Sequence, residues 1–193
     1  STKNRFYTGD NAKDIIKFII NEHRITLTNP QIKALAEFCS SIPVGKIAFP
    51  VVVNAEQVYK RIVNKIGSTY NHPADKYVSI SNALGFDRRS SGVYILLVND
   101  SDEPDIDMRI SWDKKQEKYA DTDTVRMTEY MGLYDYLLTT ANRKIDINTR
   151  TSTESVHACS DSIACGRTYN SKFILGFKDR SSNYQDEGFR TEI

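Results

Sequence analysis

The densest group of side chains with chemical potential lies between residues 100 and 107. Four aspartates and one glutamate fall within this stretch, directly after a strongly apolar run at 93–98. The candidate metal ligands among them are Asp100, Asp102, Asp105 and Asp107. Hard divalent cations bind several carboxylate oxygens, so these residues could hold a metal ion, although the glycine and the terminal glutamate of an EF-hand loop are missing. The alternative is a solvated turn whose charges discourage strand addition at a sheet edge.

A second hypothesis extends this acidic turn to a metal-dependent nuclease or phosphodiesterase. Pro104-Asp105 and Asp113-Lys114-Lys115 supply the residue types of a PD…(D/E)xK site. In such a site two carboxylates hold the metal ion and the lysine orients the attacking water. The spacing counts against the hypothesis, because a whole predicted strand separates Asp105 from Asp113, whereas the chemistry needs the two carboxylates side by side.

A repeated phrase supplies the candidate anion-binding residues. The motif LGFxxRSS occurs at 84–91 and again at 175–182, each time after a Thr-Tyr-Asn triplet, although the intervals differ. Guanidinium groups beside two hydroxyls suit the oxygens of a phosphate, so we predict two loops that contact nucleic acid. The residues concerned are Arg88, Arg89, Ser90, Arg180 and Ser181. The simpler alternative is a pair of ordinary turns, because Ser and its polar neighbours are common in loops.

The nucleophiles and acid–base groups form no recognisable catalytic pattern. Three cysteines, Cys39, Cys159 and Cys165, match no zinc or disulfide framework, and the three histidines have no partner nearby in the sequence. The motifs GxxxxGK[ST], GxGxxG, HExxH and GxSxG, which mark common phosphate, dinucleotide, metalloprotease and hydrolase sites, are all missing. The sequence therefore favours a non-enzymatic role without a cofactor, apart from the metal ion that the acidic turn could hold.

The composition is typical of a soluble globular domain. The chain has 193 residues, of which 39% are hydrophobic and 26% charged, enough for one domain with a real core. Its formal net charge of +1 builds in no general attraction to nucleic acid or to an anionic membrane. The longest apolar run is far short of the 20 or so residues that span a bilayer, and the first residues show no signal peptide. We expect no membrane partner and a cytoplasmic location.

The apolar run and the residues after the acidic turn predict the centre of the fold. The run at 93–98 is rich in β-branched and aromatic residues, which is typical of a buried strand. Apolar and polar residues alternate over 106–112, which predicts a half-exposed second strand and a hairpin spanning 92–112. A largely apolar helix near 122–142 belongs in the core or in a subunit interface. The expected fold is α+β, with N-terminal helices packed on a small mixed or antiparallel sheet centred on this hairpin.

Local signals place the remaining elements. Asn54 and Gly67 are suited to cap the two ends of a helix over 55–66. The run Thr-Ser-Thr-Glu at 151–154 matches a capping box and predicts a helix from 152 to 164. Strands are expected at 143–148 and 173–177.

Polar segments at both ends suggest how the chain is used. We divide it into a polar N-terminal arm (1–10), a single α+β domain (11–177) and a polar C-terminal tail (178–193). Arms that cross to neighbouring copies can build closed or helical assemblies. The leading hypothesis is a self-assembling or nucleic-acid-associated structural protein, such as a viral or phage coat, nucleocapsid or tail component, which would end up in a virion. The alternatives are the nuclease described above and a small regulatory protein-binding module that acts through the helix at 122–142.

Overall fold

The computed structural model describes residues 10–71, 91–106, 109–157 and 161–193. Within these ranges the chain forms five α-helices, one π-helix and two sheets, so the predicted α+β class is confirmed. The helices are α1 (Asn11–Lys17), the π-helix (Phe18–Glu22), α2 (Asn29–Ser40), α3 (Ala55–Ile66), α4 (Trp112–Lys118) and α5 (Met127–Ala141). The strands are β1 (Lys46–Val52), β2 (Ser68–Asn71), β3 (Val93–Asn99), β4 (Arg150–Val156), β5 (Ser162–Tyr169), β6 (Lys172–Asp179) and β7 (Glu187–Gly188).

Helix α3 has the bounds that its capping residues predict. The Asn54 side chain accepts a hydrogen bond from the Gln57 amide at 3.1 Å and so satisfies one of the free N–H groups of the first turn. At the other end Gly67 has a φ of 75°, a conformation that suits glycine, and its amide bonds to the Val63 carbonyl. Local hydrogen bonding therefore decides both ends of this helix.

Helix α5 is the centre of the core. Twelve of its fifteen residues are buried, including the fully enclosed rings of Tyr130, Tyr134 and Tyr136. It begins at Met127, later than predicted, because Thr124 forms a β-bridge with Thr191 before the helix starts. Of the two positions predicted for this helix, the core is the one observed, since it packs inside the protein.

The hairpin predicted over 92–112 is wrong. Strand β3 pairs antiparallel with β1, in a two-stranded sheet of its own. Ile106 forms only an isolated bridge with Phe189, and Trp112 begins helix α4, which Ser111 caps by accepting from the Lys114 amide at 3.2 Å. Ile106, Ile110 and Trp112 pack around Phe189 in a small second cluster. The alternating apolar residues that are described therefore meet one aromatic ring and not a neighbouring strand of a hairpin.

The far edge of β1 is closed. The Val53 amide donates to the Gly92 carbonyl at one end of the pair of strands, and the Asp100 amide donates to the Gly45 carbonyl at the other. Between these ends, every second residue of β1 and of β3 bonds to the facing strand, and the residues between them direct their backbone groups outward. By this alternation Pro50, opposite Ile95, directs its nitrogen away from β3, so its missing N–H costs no ladder bond. On the same outer edge, Asn11 binds both backbone groups of Ala48: its Oδ1 accepts from the amide at 3.0 Å and its Nδ2 donates to the carbonyl at 2.9 Å.

A five-stranded mixed sheet contains the other strands, in the order β2-β6-β5-β4-β7. Strands β4 and β5 form an antiparallel hairpin where the sequence predicted a helix over 152–164, so that prediction is wrong. Thr151, Ser152 and Thr153 are fully buried in the sheet, and the packing of the β-branched threonines outweighs the capping-box pattern. Residues 143–148 form a loop instead of the predicted strand, whereas the strand predicted at 173–177 is confirmed as part of β6.

One face of the five-stranded sheet packs against α5 at very close range. A Cβ atom added to Gly166 would lie 2.4 Å from Cε1 of Tyr130, too close for any real contact. Tyr134 and Thr168 approach through their hydroxyls, which are 2.5 Å apart. The Phe173 ring of β6 packs against Tyr134, with the two ring centres 4.8 Å apart. The absence of a side chain at Gly166 therefore lets the helix settle onto the sheet.

The segment predicted as a polar tail, 178–193, packs into the domain over much of its length. Glu187 and Phe189 are fully buried and Arg190 is 2% exposed. Strand β7 pairs in parallel with β4, and the Ile193 amide donates to the Leu97 carbonyl of β3 at 3.0 Å. Lys178, Glu187 and Arg190 are buried because each meets a partner of opposite charge, which sequence composition does not show.

Candidate functional site

The acidic turn is held by one arginine. Asp100, which is buried, accepts a hydrogen bond from Nη1 of Arg143 at 2.5 Å, and Asp102 accepts from Nε at 2.8 Å. Arg143 follows the end of α5, so this double contact connects the end of β3 to the end of the core helix. Charge-assisted bonds of this kind are among the stronger ones in proteins. The two carboxylates thus have a structural partner within the chain.

Asp105 has partners as well. It accepts from Nδ2 of Asn99 at 2.5 Å and from the Thr191 amide at 2.8 Å, while Asp107 lies outside the described residues. In the part of the chain that the structure describes, no three His, Cys, Asp or Glu side chains are grouped in a way that could hold a metal ion. Metal binding at this turn stays a prediction.

The residues of the nuclease hypothesis have separate partners. Asp113 forms an ion pair with Nε of Arg180 at 3.3 Å. Lys115, which is 2% exposed, donates to the Glu154 carboxylate and to the Thr122 carbonyl. A lysine held in this way stabilises a partly buried carboxylate, which gives it a structural role beside any catalytic one. The nuclease hypothesis therefore gains no support from these contacts.

The second copy of the repeated phrase forms a turn at the end of β6. The Ser181 hydroxyl donates to Asp179 at 2.7 Å and its amide donates to the same oxygen at 2.9 Å, and these two bonds lower the pKa of that exposed carboxyl. The Arg180 guanidinium lies over the Trp112 ring, 5.5 Å from its centre. Arg88, Arg89 and Ser90 lie outside the described residues. The pairing of the two loops as an anion site stays a prediction.

An apolar groove of about 510 Å³ is lined by described residues. It lies between the N-terminal helices and β3, and we call it the β3 groove. Its walls are Ile19, Ile25, Thr26, Leu27, Gln31, Ala34, Leu35, Gly92, Val93 and Ile95. None of these side chains is charged, and the only polar ones are a threonine and a glutamine. The groove can exclude water from an apolar ligand, but it offers no acid, base or nucleophile.

The outer edge of β3 opens into this groove. Because Tyr94 and Leu96 bond to β1, the neighbouring Val93 and Ile95 direct their amides and carbonyls away from it. No described residue forms a backbone hydrogen bond with these outward groups. Farther along the same edge, the Leu97 carbonyl is taken by Ile193. A short stretch of unpaired strand edge therefore lies beside an apolar surface.

The sequence did not reveal this site. The run at 93–98 predicted a strand buried on both faces. In the structure, the five residues from Val93 to Leu97 are only partly buried. The groove is formed by segments that lie far apart in the chain, which no local pattern connects. The one available signal was the unusually apolar character of the segments at 19–27 and 93–97 taken together.

The buried charge of Asp146 is fully compensated by its neighbours. Asp146 accepts from Arg190, Tyr130, Thr149 and Thr151 at 2.7–3.0 Å. Burial, together with the charge on Asp146, raises the pKa of Tyr130 well above its ordinary value, so its hydroxyl stays a hydrogen-bond donor. Such a satisfied network stabilises the fold, and it has no group left over for a ligand.

Comparisons with protein-family models, with curated proteins and with solved structures found no match to this chain. Among the described residues, no helix combines the length and the apolar character that crossing a bilayer requires. Function therefore has to be inferred from the chemistry of the surfaces. Of these, the β3 groove offers an unsatisfied backbone and an apolar wall in one place.

Proposed function

We propose that this protein is a non-enzymatic, self-associating structural protein, and that the β3 groove is its contact surface. The observation that carries the proposal is the outward-facing backbone of Val93 and Ile95, which has no partner among the described residues. An exposed strand edge is a template for adding another strand, and proteins usually protect such edges with charge, proline or a covering element. Here the side chains next to the edge are apolar.

A second copy of the same strand is the occupant that fits this edge. Two antiparallel β3 edges related by a two-fold axis would place Val93 opposite the second copy's Ile95, and Ile95 opposite the second copy's Val93. Each outward amide would then meet an outward carbonyl, giving four hydrogen bonds and a four-stranded sheet across the pair. Such an interface is self-complementary, so it needs no other partner.

The apolar walls are needed to make this contact stable. A net contribution of about 0.5–1.5 kcal/mol per hydrogen bond gives the four bonds a few kcal/mol at most. Association costs about 4–15 kcal/mol in translational and rotational freedom, so the edge alone would bind weakly. Burial of the isoleucine and leucine side chains in the groove supplies the remaining free energy.

Light scattering on wild-type protein and on Ile95→Lys tests the proposal. The charge would enter the centre of the proposed contact, so we expect wild type to dimerise with rising concentration and the variant to stay monomeric. Ile147→Lys is the matched control, because Ile147 is 58% exposed and does not line the groove; it should dimerise like wild type. A monomeric wild type at every concentration, or a dimer that persists in Ile95→Lys, would refute self-association through this edge.

The backbone component can be tested separately with Ile95→Pro. The Ile95 amide points away from β1, so proline removes an outward donor while leaving the ladder between β1 and β3 intact. We expect a folded monomer, with folding checked by thermal unfolding. Nucleic-acid association through Arg88, Arg89 and Arg180, and a location in the cytoplasm or a virion, stay predictions that these measurements do not address.

A further inference from the structure

The five-stranded sheet has a polar face on the side away from α5. Cross-strand partners share a face, so the register places Ser152, Cys165 and Gly176 in one row across β4, β5 and β6. The next row along the same strands contains Arg150, Arg167 and Ile174. We call the surface formed by these two rows the basic face.

A small cavity of about 120 Å³ lies on the basic face. It is lined by Arg150, Arg167, Cys165, Ile174, Gly176 and Phe177. The two guanidinium groups belong to neighbouring strands, and Gly176 leaves the third strand without a side chain at this point. The cavity has room for a single tetrahedral oxyanion.

Positive charge exceeds negative charge around this cavity. Arg150 donates to Glu187 at 2.9 Å, and Lys178 binds the second oxygen of the same carboxylate. Arg167 lies 3.5 Å from Asp186, at the limit of a hydrogen bond. Three cations thus share two carboxylates, and of the two arginines that line the cavity Arg167 has the longer contact.

Two buried donors on this face have no hydrogen-bond partner. They are Nε of Arg167 and the Ser152 hydroxyl, and Ser152 is fully buried. Leaving a buried donor unsatisfied costs about 1–3 kcal/mol, and native proteins rarely accept this without a reason. Arg167 lines the cavity, so a ligand with several acceptor oxygens placed there could accept from its Nε.

We propose that the basic face is a binding site for a phosphate group, held between Arg150 and Arg167. Arginine presents a planar set of donors that matches phosphate oxygens, and the two side chains approach from adjacent strands. Cys165 provides a neutral floor, because burial raises the pKa of its thiol to about 11 and keeps it protonated at neutral pH. Inorganic phosphate and the phosphate of a small monoester share this chemistry.

Titration calorimetry with inorganic phosphate tests the site. We expect saturable binding to wild type, weakened about tenfold or more in Arg167→Gln because a charge-assisted contact is lost. Arg24→Gln is the matched control, since Arg24 is exposed and lies outside the sheet; it should bind like wild type. Arg167→Gln binding as tightly as wild type would overturn the proposal, and so would a wild type that binds neither phosphate nor a nucleoside monophosphate.

Two further measurements keep the result independent of variant folding and identify the ligand source. In wild type, phosphate should shift the backbone amide resonances of Arg150, Cys165 and Arg167 more than those of the β3 groove. A nucleoside monophosphate that binds no tighter than phosphate would indicate recognition of the phosphate alone. Tighter binding that Tyr169→Ala reduces to the phosphate level would indicate a stacked base, since Tyr169 is 56% exposed beside Arg167. Shifts confined to other regions would contradict the site.

Discussion

The two sheets share the core helix α5 but present different chemistry on their other sides. Beside β3 the surface is apolar and the unsatisfied groups belong to the backbone of Val93 and Ile95. On the five-stranded sheet the cavity is bordered by Arg150 and Arg167, and the unsatisfied groups belong to side chains. The first surface therefore suits another strand and the second a small anion. One core can support two kinds of recognition because each sheet needs only one face for packing.

The C-terminal segment contacts a strand of each sheet, β3 and β4, and its buried Arg190 is bound by Asp146. In Asp146→Ala this buried guanidinium loses its carboxylate, so we expect the free energy of unfolding to fall by about 3–5 kcal/mol, measured by denaturant titration. Asp161→Ala is the control, because Asp161 is exposed, and it should change stability by less than about 0.5 kcal/mol. Equal stability of the two variants would show that the segment is not held in this way.

A pair of glycines distinguishes the two faces of the five-stranded sheet. In Gly166→Ala the new methyl group would meet the buried ring of Tyr130, and we expect a loss of about 1–3 kcal/mol from overpacking. In Gly176→Ala the new Cβ would lie 3.8 Å from the Cys165 sulfur, an ordinary contact, and stability should change by less than about 0.5 kcal/mol. Thermal and denaturant unfolding measure both. If Gly176→Ala were the more damaging variant, the assignment of faces would be reversed.

The smallest effect expected is a dependence of stability on acid at the contact between α5 and the end of the π-helix. Burial alone would raise the pKa of Asp135, but His23 and Arg61 beside it bring the pKa below its ordinary value of 3.8. A carboxyl whose pKa is lowered by folding adds stability above its unfolded pKa, and this stability is lost as the pH falls through the folded value. Below about pH 4, wild type should therefore lose stability more steeply than Asp135→Asn, as urea unfolding at several pH values would show.

The control for this pH series is Asp161→Asn, which removes an exposed carboxylate and should follow wild type. If the free energy of unfolding fell equally with pH in wild type and in Asp135→Asn, Asp135 would not be a source of acid sensitivity. A steeper loss in wild type would place that sensitivity at the contact between α5 and the end of the π-helix, where His23 lies 3.7 Å from Asp135.

Local signals predicted the elements that local interactions decide. The bounds of α3 follow from Asn54 and Gly67, and the burial of α5 follows from its many apolar residues. The hairpin at 92–112 failed because β3 meets its partner more than forty residues earlier in the chain, at β1. The helix at 152–164 failed because packing of Thr151 and Thr153 in the sheet outweighed a short capping pattern.

The candidate sites were harder to predict because their partners are distant in sequence. Asp100 and Asp102 looked like metal ligands, yet Arg143, more than forty residues away, accounts for both carboxylates. Arg150 and Arg167 carry no motif, and only the register of β4 and β5 brings them together. A charge pattern gives the residue types of a site, whereas the pairing of strands determines which of them meet.

The closed edge of β1 limits what self-association can build. Asn11 occupies both outward backbone groups of Ala48, and Pro50 offers no amide on that side. Among the described residues, β3 is therefore the edge of this sheet that can accept another strand. If two copies pair there as proposed, the two outer edges of the four-stranded sheet are both β1 edges, so strand addition through this sheet would end at a pair.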